Sequence, residues 1–458
     1  MKGRLPKMTA GIRLILVLAV VSMVMTACAQ PTPVVVEKEV VVEKEVPVTV
    51  EVEKEVVVEK EVPVEVEKEV VVTPTPVPAP PAPAAPATIK IGTVTDQTGP
   101  LTAFGVQTKW GYSKAADELN AEGGIYVAEY DKKIPVEILW GDHSADEQKA
   151  VTEMEYLVQQ KVVALSGTTA LMPLGQVVAE KNGVPLVIAN GSLVDPFQQG
   201  FRYLFDIGWM NTDCAEFVFE LIDWFPEPKP TMIGFMEEQN LMGIDYSIWF
   251  QKEAFNRGAT NIVIQKYQRF GGDYSTQILA FKEAGVDFVY APMIGPDGIK
   301  FWQQMKELDF VPKAILMLSA PAVRADWLSM GPDADYVITT NAYHWATGYP
   351  GAAEFDKAYA AEHNGEHAPE LGGQAYAAIQ VIADAIERAG SLDHDKIREA
   401  LTTTDLDTIE GHITFNTNGT VNKEHFLVQY IDGVETIVWP DEMAEKDIVY
   451  PFPAWTAR

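Results

Sequence analysis

The run Thr88-Ile89-Lys90-Ile91-Gly92-Thr93-Val94-Thr95-Asp96-Gln97-Thr98-Gly99-Pro100-Leu101-Thr102-Ala103-Phe104-Gly105 sets the pattern for the body of this chain. Residues 89–94 are a short, β-branched apolar run, which predicts a strand, and the polar turn through Gly99-Pro100 then leads into a segment with helical patterning. That helix is expected over 108–120 and is stopped by Gly123-Gly124. Working outward, further strands are expected at 134–140, 162–165, 185–189, 232–236, 262–267, 288–291, 314–318 and 336–340. Between and after them, helices are expected at 146–160, 178–182, 215–223, 246–256, 275–284, 298–308, 353–362, 374–389 and 394–401. Short apolar runs alternating with amphipathic segments signal an α/β architecture with parallel sheets. So many strands exceed one doubly wound sheet, and two α/β lobes are the economical solution. After residue 409 the pattern turns to β, with an Asn418-Gly419 turn expected between strands at 413–415 and 426–431.

The 458 residues suffice for two or three compact units. Apolar residues make up 47% of the chain, which excludes a wholly disordered polymer. Lys and Arg number 35 against 65 Asp and Glu, a net charge of −30, and so acidic a surface repels phosphate backbones. Nucleic acid is therefore not an expected partner. With Cys28 and Cys214 alone, the chain carries neither a disulfide framework nor a four-cysteine zinc site.

Lys2, Arg4, Lys7 and Arg13 precede an apolar run over 14–27, a basic region followed by a hydrophobic one too short to span a bilayer comfortably. Residues 1–27 are expected to be a signal peptide. Its end, Met25-Thr26-Ala27-Cys28, resembles a bacterial lipobox with Met25 where leucine is usual, which implies lipidation at Cys28. An ordinary secretory signal is the alternative. Residues 28–86 form a low-complexity tether in which Val-Glu-Lys-Glu-Val recurs at 36–40, 42–46, 52–56, 58–62 and 66–70, followed by a proline-rich run over 73–86. The irregular repeat spacing gives no heptad, so a charged, semi-extended stalk is expected rather than a coiled coil. These features place the body outside the cytoplasm, held to the membrane by lipid.

Several chemistries lack their residues. Neither Gly-x-Gly-x-x-Gly nor Gly-Lys-Ser/Thr occurs to grip phosphate, and no Gly-x-Ser-x-Gly elbow presents a nucleophile. Cys214 stands beside Asp213 and near Glu216, whose charge disfavours a thiolate, and is read as a packed apolar residue. His363 and His367 have helical spacing, but Asn364-Gly365 between them breaks the helix, and a solvated loop is the reading there. No metal, no cofactor and no catalytic residue is expected.

What the chain does carry sits where strands end and helices begin, the crevice in which open α/β sheets bind ligands. Ser166-Gly167-Thr168-Thr169 follows one strand and Asn190-Gly191-Ser192 the next, two hydroxyl clusters whose amides and side chains suit a carboxylate. Helix capping accounts for either cluster alone, whereas their succession favours an anion cradle. Together with the Gly99-Pro100 loop, residues 120–125, 273–278 with 284–289, and Gly411-His412-Ile413-Thr414-Phe415 before Asn418-Gly419, they resemble the type I solute-binding proteins of ATP-driven importers, in the leucine/isoleucine/valine-binding branch.

The resemblance covers residues 88–439 and implies two Rossmann-like lobes of the periplasmic-binding-protein type I fold. Three hinge crossings, near 205–209, 338–342 and 409–428, would join them. On this view residues 88–207 with 342–410 make lobe one, 208–341 with 411–440 make lobe two, and 441–458 form a C-terminal tail. By position, Thr168, Thr169, Gly191 and Ser192 would hold a ligand carboxylate, Asn190 would meet its ammonium, and Phe104 would be an aromatic wall. On lobe two, Leu241 or Met242, Met293 or Ile294, and Ala320 would contact the ligand. The family's amino-acid binders place a carboxylate in the last of these loops, whereas this chain reads Leu318-Ser319-Ala320-Pro321-Ala322. A buried ammonium without a counter-charge is costly, so Glu237, Glu238 or Asp297 would have to substitute. Trp209, Trp249, Trp302, Trp327 and Trp345 are candidate pocket or core residues. The implied function is capture of a small solute, a branched or aromatic amino acid or a related amide or carboxylate, and its delivery to the permease and ATPase subunits of an importer. A ligand-sensing module of a signalling system is the alternative.

Overall fold

The computed structural model describes residues 84–167, 173–189, 193–423 and 426–458. The expected signal peptide, Cys28 and almost all of the expected stalk lie outside these residues. Everything described falls within one compact unit.

The first lobe begins with β1 (Ile89–Thr95), α1 (Thr102–Ala121), the small hairpin β2 (Ile125–Val127) and β3 (Lys132–Ile134), then β4 (Val136–Asp142) and α2 (Glu147–Gln159). It continues through β5 (Ala164–Gly167), α3 (Pro173–Asn182), β6 (Leu186–Ile188), α4 (Val194–Gln198) and β7 (Leu204–Asp206). These strands form a parallel sheet in the order β4-β1-β5-β6-β7, with Ile91 opposite both Ile138 and Ala164. Asp146 starts α2 by accepting the Lys149 amide at 2.7 Å, the expected acidic opening of that helix.

The second lobe holds α5 (Asn211–Trp224), β8 (Ile233–Glu238), α6 (Leu241–Asn256), β9 (Ile262–Tyr267), α7 (Ser275–Ala284), β10 (Phe288–Ala291), α8 (Gly295–Glu307), β11 (Ala314–Met317), α9 (Arg324–Leu328) and β12 (Ile338–Asn341). The chain then returns to lobe one as α10 (Ala352–Glu362), α11 (Glu370–Ala389), α12 (His394–Leu401) and the hairpin β13 (Asp405–Thr408) and β14 (Gly411–Thr414). It ends in lobe two as β15 (Phe426–Ile431) and β16 (Val434–Trp439). The second sheet runs β16-β15-β12-β11-β10-β8-β9, parallel from β12 to β9 and antiparallel through β15 and β16.

Each lobe has its own core. One gathers Phe217, Phe235, Phe250, Tyr290, Trp302 and Trp327, the other Ile89, Tyr112, Tyr343, Ile379 and Ile382. Two buried faces per sheet explain why the strands read as continuous apolar runs. The lobes are joined at three places. β7 lies in the first sheet while Phe217 of α5 lies in the second core; β12 lies in the second sheet while Tyr343 lies in the first core; and Val421 lies in the first core while β15 lies in the second sheet.

Three expectations need correction. The division placed at 410/411 falls inside the β13–β14 hairpin, whose Ile413 packs in the first core, so residues 411–421 belong to lobe one. The Asn418-Gly419 turn is present, with the Gly419 amide bonded to the Asn416 carbonyl at 2.9 Å, but the strands around it part company. β14 pairs with β13 while β15 crosses to the other sheet, where its two edges pair with β12 and β16. Residues 441–458 are no free tail either: Phe452 and Trp455 are buried in the second core.

Candidate functional site

The polar turn after β1 is held by one carboxylate. Asp142 Oδ1 accepts the amides of Gln97 and Thr98 at 3.0 and 3.2 Å, and its Oδ2 accepts the Thr98 hydroxyl at 2.6 Å. Burial pushes this acid up, but hydrogen bonds from Thr98 and Ser144 outweigh it and hold the carboxyl well below the usual range. The turn thus spends its hydroxyls on the protein. What it delivers is the start of α1, where Gly105 is obligatory because a Cβ there would lie 1.8 Å from the Asp96 carbonyl oxygen.

So positioned, Leu101 and Phe104 form one wall of a cavity between the lobes. The space between its walls, open mouth included, is about 930 Å³. Leu371 and Glu370, at the first turn of α11, stand beside them. Lobe two contributes Glu238 and Met242, Gly243 and Tyr246 from α6, Pro292 and Ile294 after β10, and Leu318, Ser319 and Ala322 after β11. Trp209, Cys214 and Thr340 close the hinge side. Most of this lining is apolar.

Of the residues expected at the ligand, Phe104 and Met242 line the cavity. Leu241 does not: as the first residue of α6 its side chain is half exposed. Met293 and Ala320 are fully buried in the second core, one step out of phase with Ile294 and Ser319, which take the cavity positions. Ala320 packs so closely on α8 that a Cβ on Gly298 would lie 2.3 Å from it. Thr168, Thr169, Asn190, Gly191 and Ser192 lie outside the described residues, directly after β5 and β6 in sequence. Among the tryptophans Trp209 reaches the cavity, Trp302 and Trp327 are core, Trp249 packs on the first lobe beneath Lys252, and Trp345 stacks on His367.

The candidate counter-charges separate clearly. Glu237 pairs with Lys266 at 2.7 Å and accepts the Ser247 hydroxyl, and Asp297 is taken by the Phe270 amide and the Tyr274 hydroxyl. Glu238 does line the cavity, where burial pushes its carboxyl above the usual range and the guanidinium of Arg269, bonded to its Oε1, pulls it back. Glu370 is the carboxyl that sequence reasoning missed. Burial pushes it well above the usual carboxylate range. Its signal was Ala368-Pro369-Glu370, a proline and an acid at a helix start, obscured because the helix was expected to begin at residue 374.

Cys214, in the cavity wall, has its thiol pushed far up by burial first and by Asp213 second, which makes it a packing residue. Among the described residues no group of His, Cys, Asp and Glu is arranged to hold a metal ion, and no helix is long and apolar enough to cross a membrane.

Two α/β lobes around an apolar cavity at the carboxyl ends of their strands are the architecture of a solute clamp. The model of the periplasmic binding protein family matches residues 88–434. The chain belongs to that family. This periplasmic binding protein is 25% identical over 395 residues to Leu/Ile/Val-binding protein homolog 7 of Brucella suis, covering 80% of this chain and 95% of the relative. It is similar in fold to a leucine-binding protein, LivK, of Thermotoga maritima (TM-score 0.66, 22% identity, 76% of this chain and 97% of that one). It is likewise similar to LivJ of Streptococcus pneumoniae in complex with isoleucine (0.65, 20%, 80% and 100%). A solute-binding protein of Rhodopseudomonas palustris in complex with benzoate shares the fold at a TM-score of 0.67 with 14% identity, covering 77% of this chain and 95% of that one. The proteins of this family bind solutes rather than transform them.

Proposed function

We propose that this protein captures a small solute outside the cytoplasm and delivers it to the permease of an ATP-driven importer, with closure of the two lobes as the working step and no bond made or broken. The observation that carries the reading is the cavity itself, walled by Phe104, Leu371, Met242, Ile294 and Leu318 from both lobes, in a chain of the periplasmic binding protein family. Apolar walls from two lobes gain most when a ligand of matching apolar area bridges them, which favours the closed form. The ligand class is a branched or aromatic amino acid or a related amide or carboxylate. The relatives named for leucine, isoleucine and valine, and the neighbour holding benzoate, support that range. Thr168, Thr169, Gly191 and Ser192 form the cradle for the ligand carboxylate, with Asn190 beside it. Cys28 carries the lipid that tethers the protein, and residues 28–86 are its spacer.

A thermal-shift screen of the purified protein against amino acids, aromatic carboxylates, amides and sugars tests this. A ligand at 100 times its dissociation constant adds about 2.7 kcal/mol, a clear rise in melting temperature. Thr169→Ala and Ser192→Ala are expected to abolish the rise for carboxylate ligands. Stabilisation by sugars alone would refute the ligand class.

A further inference from the structure

We infer that Glu370 receives a cationic nitrogen of the bound solute, so that this cleft takes an ammonium-bearing ligand and releases a proton as it does so. The inference rests on the reading of the cavity as the solute site and names the group that decides its specificity.

The argument begins with how Glu370 is held. It is the first residue of α11, where the helix dipole favours an anion. Its Oε1 accepts the Ala342 amide and the Gln374 side-chain nitrogen, both at 3.1 Å. Ala342 is the residue at which the chain leaves β12 for lobe one, so the carboxyl is fixed to the hinge. Its Oε2 takes no hydrogen bond among the described residues, and the side chain lines the cavity. A rigidly held carboxyl with one oxygen left for the cavity is a preformed acceptor.

Among the described residues, every charged group that faces Glu370 is already committed. Glu410, after β13, and Lys423 form a buried ion pair at 2.6 Å, and Lys423 also donates to the Ile207 carbonyl at 3.3 Å. Glu435 of β16 is bonded to Arg324 and Asn341. Within the cavity wall, Glu238 is bonded to Arg269 and, at 2.9 Å, to the Asn240 side chain. Glu435 and Glu410 push the Glu370 carboxyl up and Lys423 pulls it down, while burial, the largest influence, favours the neutral acid. Among the described residues no cation is left to neutralise it, and burial favours the protonated acid in the empty cleft. A ligand ammonium supplies the missing charge: the carboxylic acid gives its proton to solvent, the carboxylate that remains pairs with the ammonium, and charge is conserved. A solute with a carboxylate but no amine leaves the proton in place, and Glu370 then serves as a hydrogen-bond donor.

The test is calorimetric titration of the full chain at pH 7 in two buffers of different ionisation enthalpy. The probes are leucine and phenylalanine beside their amine-free analogues, 4-methylpentanoate and 3-phenylpropanoate. The expected result is release of about one proton with the amino acids and none with the acids, and an affinity for the amino acids that rises up to about tenfold per pH unit until Glu370 ionises in the empty cleft. Glu370→Gln should lose about thirtyfold or more in affinity for the amino acids, lose the proton release, and keep the amine-free acids within a few-fold, while Glu238→Gln keeps the release. Amino-acid binding without proton exchange overturns the inference in the wild-type chain, whatever the variants do. So does Glu370→Gln binding leucine as tightly as wild type. Binding of the amine-free acids alone overturns it while solute capture stands, and silence toward every probe removes both.

Discussion

Asp96 and His143 are both fully buried at the end of the first sheet, with Asp96 Oδ1 3.1 Å from His143 Nδ1. Burial, with the nearby Asp142 charge, raises Asp96 to about 8, and burial lowers His143 to about 4. The folded pair is therefore a neutral acid beside a neutral imidazole over most of the physiological range. Between pH 4 and 6.5 the folded state keeps one proton on Asp96 while the unfolded chain keeps one on histidine, so the pair adds no pH dependence. Above pH 6.5 the unfolded chain loses its proton and the folded state retains one up to about pH 8. Stability therefore falls as pH rises through that window, by about 2 kcal/mol at most for this pair. Thermal melts of wild type and Asp96→Asn at pH 6.5 and 8 check this: the drop in melting temperature should be smaller in the variant. Equal slopes would show that Asp96 is ionised in the fold.

At the scale of elements, α1 and α11 pack backbone to backbone. A Cβ on Gly111 would lie 2.0 Å from the Gly372 carbonyl oxygen, and one on Gly373 would lie 2.2 Å from Tyr343 Cγ. Gly111→Val must part the helices, and a cost of about 1–3 kcal/mol is expected, read as a lower urea midpoint with unchanged slope. A midpoint within error of wild type would mean that α11 can slide. The same glycines account for the main misreading of the sequence. Gly372-Gly373 look like a helix breaker to any propensity argument, yet they lie inside α11, where Gly373 leaves the room that the Tyr343 ring occupies. The helix start was thus set at residue 374, and Glu370 passed for loop. The regular strands were legible because both faces of each sheet are buried, so apolar runs mark them directly. In the loops after β10 and β11 no such periodicity exists, which is why the sequence leaves Met293 and Ile294 as alternatives and points to Ala320, whereas Ile294 and Ser319 face the cavity. The buried Phe452 and Trp455 are illegible for another reason: their partners in the second core lie far back in the chain, whereas β16 forms a hairpin with the β15 just before it, across Asp432-Gly433.

For the molecule as a whole, the proposed closure of the lobes would be held by the few contacts that bridge them in this structure. Leu101, Phe104 and Leu371 of lobe one pack with Ile294 and Val323 of lobe two in a separate apolar cluster. Two hydrogen bonds cross beside it, from the Gln107 side chain to the Ala322 carbonyl at 2.9 Å and from Arg324 to the His367 carbonyl at 2.5 Å. Gln107 is not part of the cavity lining, so its bond stabilises closure without touching the solute. A net hydrogen bond is worth about 0.5–1.5 kcal/mol, which amounts to about two- to tenfold in the closure equilibrium. Where the open form dominates before binding, that factor passes directly into the apparent affinity. Gln107→Ala should therefore weaken every ligand by the same two- to tenfold, leave the preference among ligands unchanged, and raise the dissociation rate more than it lowers association. Affinities for three ligands, with small-angle scattering of the free and saturated protein, measure it. A change in ligand preference would place Gln107 in the site, and unchanged affinities would mean that the apolar cluster alone holds the lobes shut.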